Sequence, residues 1–144
     1  MSDEDEIRQL IAEHFEAMRW SEATEPDWGR FRQDFLADAL LCDAARPVQF
    51  RLLNGFIELM ETVTRRNLTS FEEHTRGTKI LHFGNIALVL AMSELLENGS
   101  GTSHDISGYL IVKSDGRWSI MAHACEPACK KGSSLFGVPR SGTP

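Results

Sequence analysis

Three polar side chains occur in segments whose residues alternate as they do in β-strands. His74 lies within residues 68–78, and Asp105 and Tyr109 lie within residues 102–112. Inside an apolar cavity, loss of water shifts the pKa of a carboxylate or an imidazole, so that either can exchange a proton with a bound molecule. The residue types therefore predict His74 as a general acid–base, with Asp105 or Tyr109 polarising a carbonyl or hydroxyl group.

The same pattern allows a second interpretation. His74 shares one strand face with Glu72 and Arg76, which is also typical of an exposed ladder of charges. Asp105 lies near a predicted hairpin, where an aspartate usually faces water. Alternation shows which residues share a face, but not which face is inside, so both interpretations stay open.

Cofactor motifs are not evident. His123, Cys125 and Cys129 have ligand types, but structural zinc sites need four placed ligands and the spacing specifies no fourth. The Gly99-Ser100-Gly101 turn lacks the strand-to-helix context of a phosphate-binding loop. We therefore expect neither a metal nor an organic cofactor.

Composition limits the class of protein. The chain has 144 residues, 42% of them hydrophobic, and a formal net charge of −6, which suits one globular domain and argues against a nucleic-acid or anionic-membrane binder. The acids at Asp3 to Glu6 are expected to form a solvated tip. The apolar run from Ile86 to Met92 is too short to span a bilayer. The acidic start and the three scattered cysteines favour a cytoplasmic location.

The elements that must position these side chains follow from hydrophobic periodicity. Helical spacing predicts helices over 5–20, from 28 to about 38, and over 50–65, with a brief strand at 39–42. Four long strands follow at 68–78, 85–96, 102–112 and 117–125, the last three joined by hairpin turns. Strands of this length predict a sheet that curves or bulges, and Gly77, Gly84 and Gly108 are natural places for either. This order predicts an α+β fold, three N-terminal helices packed in a curved antiparallel β-sheet, with a pocket between them.

Several motifs occur in an order that resembles the NTF2-like superfamily, specifically the SnoaL-like domain of polyketide cyclases, ketosteroid isomerase and scytalone dehydratase. They are Asp27-Trp28, Phe35 to Ala39, His74, Gly84 to Ala87, Gly108-Tyr109 and Asp115 to Ile120. The resemblance implies a cone-shaped fold over residues 1–126. The residues after it, rich in glycine, proline and lysine and without periodicity, predict a flexible or loosely docked tail over 127–144. It also implies that His74 has the acid–base role of a histidine in the dehydratase-like branch.

The resemblance further implies an internal pocket for a small apolar or aromatic molecule. We expect this pocket to be lined by His14, Met18, Trp20, Asp38, Phe56, Met60 and Trp118. It implies a homodimer through the outer sheet face, to which Val89, Ala91, Leu95 and Met121 would contribute, and His123 is expected to point outward as well. The function is then either a cofactor-independent isomerase, cyclase or dehydratase, or a non-catalytic ligand-binding or dimerisation module.

Overall fold

The computed structural model describes residues 1–44 and 47–127. Their helices are α1 (Asp3–Ala17), α2 (Trp28–Gln33), α3 (Leu53–Leu59) and α4 (Arg65–Asn67), with a π-helical turn at Met60–Thr64 between the last two. The strands are β1 (Phe35–Asp43), β2 (Gln49–Leu52), β3 (Phe71–Phe83), β4 (Ile86–Glu97), β5 (Ser100–Ser114) and β6 (Arg117–Pro127). Apart from Pro127, the predicted tail lies outside the described residues.

All six strands form one sheet in the order β2-β1-β6-β5-β4-β3. Strands β3 to β6 pair as antiparallel neighbours, as their hairpin turns predict. The helices pack against this curved sheet, and the buried side chains of helices and strands form a single core. The predicted α+β fold is therefore confirmed. The sheet is mixed, however, because β1 lies parallel to β6, beside the last strand of the meander.

Two element predictions near the second and third helices are wrong. Helix α2 ends at Gln33, because the chain extends from Phe35 to pair with β6. The first residues of the predicted third helix form β2 instead, with Phe50 opposite Cys42 in β1. Phe50 is consequently 66% exposed, although its spacing resembles that of a buried helical residue. Strand pairing has overridden a helical pattern here.

Two bulges change which residues face the interior. Arg76 is an extra residue in β3, between Thr75 and Gly77, and Met121 is an extra residue in β6, between Ile120 and Ala122. Each inserted residue reverses the alternation of the residues after it. The bulge expected at Gly77 is confirmed. No bulge lies at the other two glycines named for curvature or a bulge: Gly84 makes the β3–β4 turn at φ +56°, and Gly108 pairs regularly with Leu90 and Ala124.

The acidic amino terminus belongs to the folded domain rather than to a free tip. Ser2 and Asp5 form a reciprocal capping box at the start of α1. Asp3 Oδ1 accepts hydrogen bonds from Lys113 Nζ at 2.8 Å and from Trp118 Nε1 at 3.2 Å. Asp3 thus attaches α1 to the last two strands and supplies the partner that a buried indole N–H needs.

Across the described ranges, no helix is long and apolar enough to cross a membrane.

Candidate functional site

Polar side chains line the inner face of the sheet on four neighbouring strands. Register places Ser93 opposite Asp105, Ser107 opposite Cys125, and Tyr109 opposite His123. Glu73 joins them from β3 through its hydrogen bond with Ser93. We call this set the polar wall: Glu73, Ser93, Asp105, Ser107, Tyr109, His123 and Cys125.

Glu73 is a buried carboxyl group without a cationic partner among the described residues. It is 8% exposed, and Ser93 donates a hydrogen bond of 2.5 Å to its Oε2. Burial raises the pKa of Glu73 to about 7, against the effect of the Ser93 bond, and the charge of Asp105 adds to the rise. This carboxyl group is therefore divided between its acid and its carboxylate at neutral pH.

Asp105 and Tyr109 project from the same face of β5. Burial raises the pKa of Asp105 to about 6, and the charges of Asp43 and Glu97 contribute. Tyr109 is 3% exposed, and its hydroxyl is buried without a hydrogen-bond partner among the described residues, although Ser107 lies beside it. Burial and the charge of Glu73 raise the pKa of Tyr109 well above its usual value, so the hydroxyl keeps its proton as a donor.

Two buried histidines surround the Tyr109 ring. His123 stacks on it, with ring centroids 4.5 Å apart and planes 4° from parallel, and His14 meets it edge-on at 5.7 Å. Burial lowers the pKa of His123 to about 4 and that of His14 well below its usual range. Both rings are therefore neutral at pH 7. Both ring nitrogens of His14 and Nε2 of His123 are buried without a hydrogen-bond partner in this part of the chain.

A small cavity opens beside the polar wall, between α3 and strands β1 and β6. Its volume is about 90 Å³, and His123 and Cys125 line it together with Leu41, Phe56 and Leu59. Burial raises the pKa of the Cys125 thiol to about 12, with a contribution from Asp105, so the sulfur is uncharged. A cavity needs about 10–15 Å³ of volume measured in this way to hold one water, so this cavity suits only a small molecule.

The three predicted catalytic residues do not converge. Asp105 and Tyr109 belong to the polar wall, but the His74 side chain is 45% exposed, with its Nε2 3.8 Å from Glu72 Oε2. Placing His74 in the pocket was therefore wrong. Glu73 and Thr75 lie on the inner side of this strand segment, so alternation puts His74 outside.

The predicted pocket-lining residues fall into three groups. His14 lies beside the polar wall, and Phe56 lines the small cavity. Four others are buried in the core without lining that cavity: Met18, Trp20, Met60 and Trp118. Asp38 is exposed on β1, so its predicted place in the pocket is wrong.

The polar wall contains several residues that sequence reasoning placed elsewhere or missed, among them His123 and Glu73. His123 was expected to point outward, in the opposite direction from Trp118, but the bulge at Met121 brings both residues to the inner face. Glu73 was missed because residue type favours its neighbour His74 for proton transfer. Alternation from the buried Phe71 is the signal that could have identified Glu73.

No group of three or more histidine, cysteine, aspartate or glutamate side chains within residues 1–44 and 47–127 is placed to hold a metal ion. Cys129 of the candidate ligand set lies outside the described residues.

Comparison with known proteins identifies the fold. No family model matches the chain, and no curated protein matches its sequence. Among solved structures, an NTF2-like protein with a cystatin-like fold from Novosphingobium aromaticivorans is 15% identical, with a TM-score of 0.68 over 93% of this chain and 86% of that one. A proposed dehydratase of the NTF2-like family from Streptomyces avermitilis is 14% identical, with a TM-score of 0.66 over 87% and 95% of the two chains. At these identities the similarity establishes an NTF2-like fold alone.

Proposed function

We propose that the cone binds a small, mostly apolar or aromatic molecule and acts on it as a SnoaL-like, cofactor-independent acid–base enzyme. One observation carries the proposal: the Tyr109 hydroxyl is buried without a partner, on a wall that also holds two carboxyl groups whose pKa values are close to neutrality. Unpaired buried donors and raised carboxyl pKa values cost stability, and they are typical of sites arranged for catalysis.

The proposed reaction class is proton transfer next to a carbonyl group. The Asp105 carboxylate takes a proton from the carbon beside the carbonyl, and the electron pair moves toward the carbonyl oxygen. Tyr109 donates a hydrogen bond to that oxygen as its charge develops. When the substrate is a β,γ-unsaturated ketone, Asp105 then returns the proton to the γ carbon and the double bond moves into conjugation with the carbonyl, which gives an isomer and restores the enzyme. The solved structure described as a proposed dehydratase supports this class by its fold only.

Binding is tested by thermal unfolding of the full chain with cyclopentanone, cyclohexanone and phenol. We expect at least one of them to raise the melting temperature of the wild-type protein, because a ligand that binds only the folded state stabilises it. Tyr109→Phe should reduce the shift, since it removes the donor hydroxyl and keeps the ring. His74→Ala is the matched control and should leave the shift unchanged. No shift with any compound would contradict the binding proposal.

A second function, self-association, is favoured by a separate observation. Leu81, Leu88, Leu110, Ala122, Leu40 and Leu52 are register partners in succession across all six strands, and we call them the outer leucine row. Four of the leucines are between 41% and 74% exposed, namely Leu40, Leu52, Leu81 and Leu88. A groove of about 790 Å³ runs along this face. We propose a second copy of the chain as the occupant, because a continuous apolar face can cover an identical face about a twofold axis.

Three of the four residues expected to form this surface do not lie on it. Val89 and Ala91 are buried on the inner face of β4, and Leu95 packs against the core. Only Met121 of the four named residues is exposed, at 45%. A cytoplasmic location stays a prediction.

A further inference from the structure

A cleft separate from the cavity beside α3 lies between α1 and the edge strand β3. Its volume is about 420 Å³. Helix α1 contributes Ala12, Phe15, Glu16 and Arg19, and β3 contributes residues 72–76. The cleft takes no part in the proton transfer proposed for Asp105 and Tyr109.

Two oxygen atoms of β3 in this cleft have unused hydrogen-bonding capacity. Glu73 is more than nine-tenths buried, and Ser93 occupies only its Oε2. No donor among the described residues reaches Oε1. The Thr75 hydroxyl is buried without a hydrogen-bond partner in the same part of the chain. Both residues line the cleft, so its β3 side offers a carboxylate oxygen and a hydroxyl to a ligand.

The charges around the cleft favour a cation. Its lining includes the carboxylates of Glu16, Glu72 and Glu73 but only two guanidinium groups. One of these, Arg76, donates a hydrogen bond of 2.7 Å to Glu94, which is not part of the lining. The other, Arg19, lies 3.8 Å from Glu16. At pH 8, above the pKa of Glu73, the lining therefore retains negative charge at Glu72 and Glu73.

We propose that this cleft binds the primary ammonium group of a short alkyl chain. The ammonium group would donate hydrogen bonds to Glu73 Oε1 and Thr75 Oγ1 through two of its three N–H groups. The alkyl chain would lie against Ala12 and Phe15. Free alkylamines and lysine side chains share this chemistry. Either source would satisfy the two unused oxygen atoms.

The proposal is tested by NMR titration of the full chain with n-butylammonium at pH 8, with n-butanol as the neutral analogue. We expect saturable shifts near Glu73, binding at least about tenfold weaker for n-butanol, and a similar loss in Glu73→Gln, since a paired charge is worth more than a neutral hydrogen bond. Glu72→Gln, on the rim, should bind nearly as the wild type does. Equal binding of n-butanol, or unchanged binding by Glu73→Gln, would overturn the proposal.

A measurement on the wild-type protein avoids any dependence on the folding of a variant. Affinity for n-butylammonium should fall as pH is lowered from 8 to 6, because Glu73 takes up a proton while the ligand stays charged. The other titratable or charged groups near Glu73 are Asp105 and Tyr109 on β5, Cys125 on β6, Glu16 and Arg19 on α1, and Glu72, His74 and Arg76 on β3. Asp105→Asn should move the fall in affinity to lower pH without abolishing it, because the charge of Asp105 contributes to the raised pKa of Glu73, and His74→Ala should keep the pH dependence. A flat profile in the wild type would contradict the proposal.

A lysine derivative capped at both ends distinguishes the two sources. Glu73-dependent binding of n-butylammonium or of the capped lysine derivative supports the proposal. The compound that binds more tightly shows whether a free alkylamine or a lysine side chain is the ligand. Failure of both compounds to bind would overturn it.

Discussion

Adjacent residues of β3 have opposite environments, and this difference determines the chemistry of the site. Glu73 faces the interior and bonds to Ser93, whereas His74 faces outward beside Glu72. Residue type alone favours His74, because histidine is the usual proton-transfer residue near pH 7. The environments of the two residues reverse that order. Glu73 is buried, which raises its pKa to about 7, whereas the His74 side chain is 45% exposed.

The raised pKa of Glu73 predicts a pH-dependent cost to stability. Between pH 4.5 and about 7, folded Glu73 keeps a proton that the unfolded chain has already lost, so stability falls as pH rises through this window. Glu73→Gln removes the effect. By urea unfolding, the wild type should lose up to about 3 kcal/mol relative to this variant between pH 5 and pH 8. Glu72→Gln should follow the wild type. A difference between wild type and Glu73→Gln that does not change with pH would contradict the assignment.

At the scale of elements, the positions of the strands were predicted better than the directions in which their side chains point. The hairpin signals at Asn98-Gly99 and Asp115-Gly116 were correct, because left-handed backbone is required there and these residues tolerate it. The side-chain directions after Met121 could not be predicted, because no residue type marks that bulge. Because of this one inserted residue, the inward direction of the His123 and Cys125 side chains was not predicted, although every strand of the meander was identified.

The turn between β5 and β6 provides a test at this scale. Gly116 has a φ of +74°, and an added Cβ would meet no atom within 4 Å, so its replacement is penalised by backbone conformation and not by crowding. Gly116→Ala should lower the free energy of unfolding by about 1 kcal/mol. Gly55→Ala, in α3, is the control and should raise it by about 0.5–1 kcal/mol, because alanine favours a helix. Equal effects of the two substitutions would contradict the turn geometry.

For the whole molecule, the order of helices and long strands was sufficient to predict an α+β cone. The packing of β1 beside β6 was not predictable, because parallel partners far apart in sequence leave no local signal. The burial of Val89 and the exposure of Leu88 likewise depend on which face of β4 the helices cover. The fold was thus recovered from the sequence, while the inner and outer faces required the structure.

Self-association is the prediction that belongs to this scale. If the outer leucine row covers its counterpart in a second copy, the wild-type chain should sediment as a dimer. Leu88→Glu should give a monomer, because it places a charge within the apolar row, at a position that is 51% exposed. Val63→Glu is the matched control, since Val63 is 48% exposed and lies outside this face, and it should stay dimeric. A monomeric wild-type protein would contradict the proposed dimer.

Hydrogen–deuterium exchange at the carbon beside the carbonyl of cyclohexanone tests the acid–base account most directly, since it reports the proton transfer itself. In D₂O at pH 7, NMR should detect faster loss of these protons with the wild-type protein than in buffer alone. Asp105→Asn should reduce the protein-dependent rate by at least about 100-fold. His74→Ala should leave the rate unchanged. An exchange rate equal to that of buffer, or full activity in Asp105→Asn, would contradict the account.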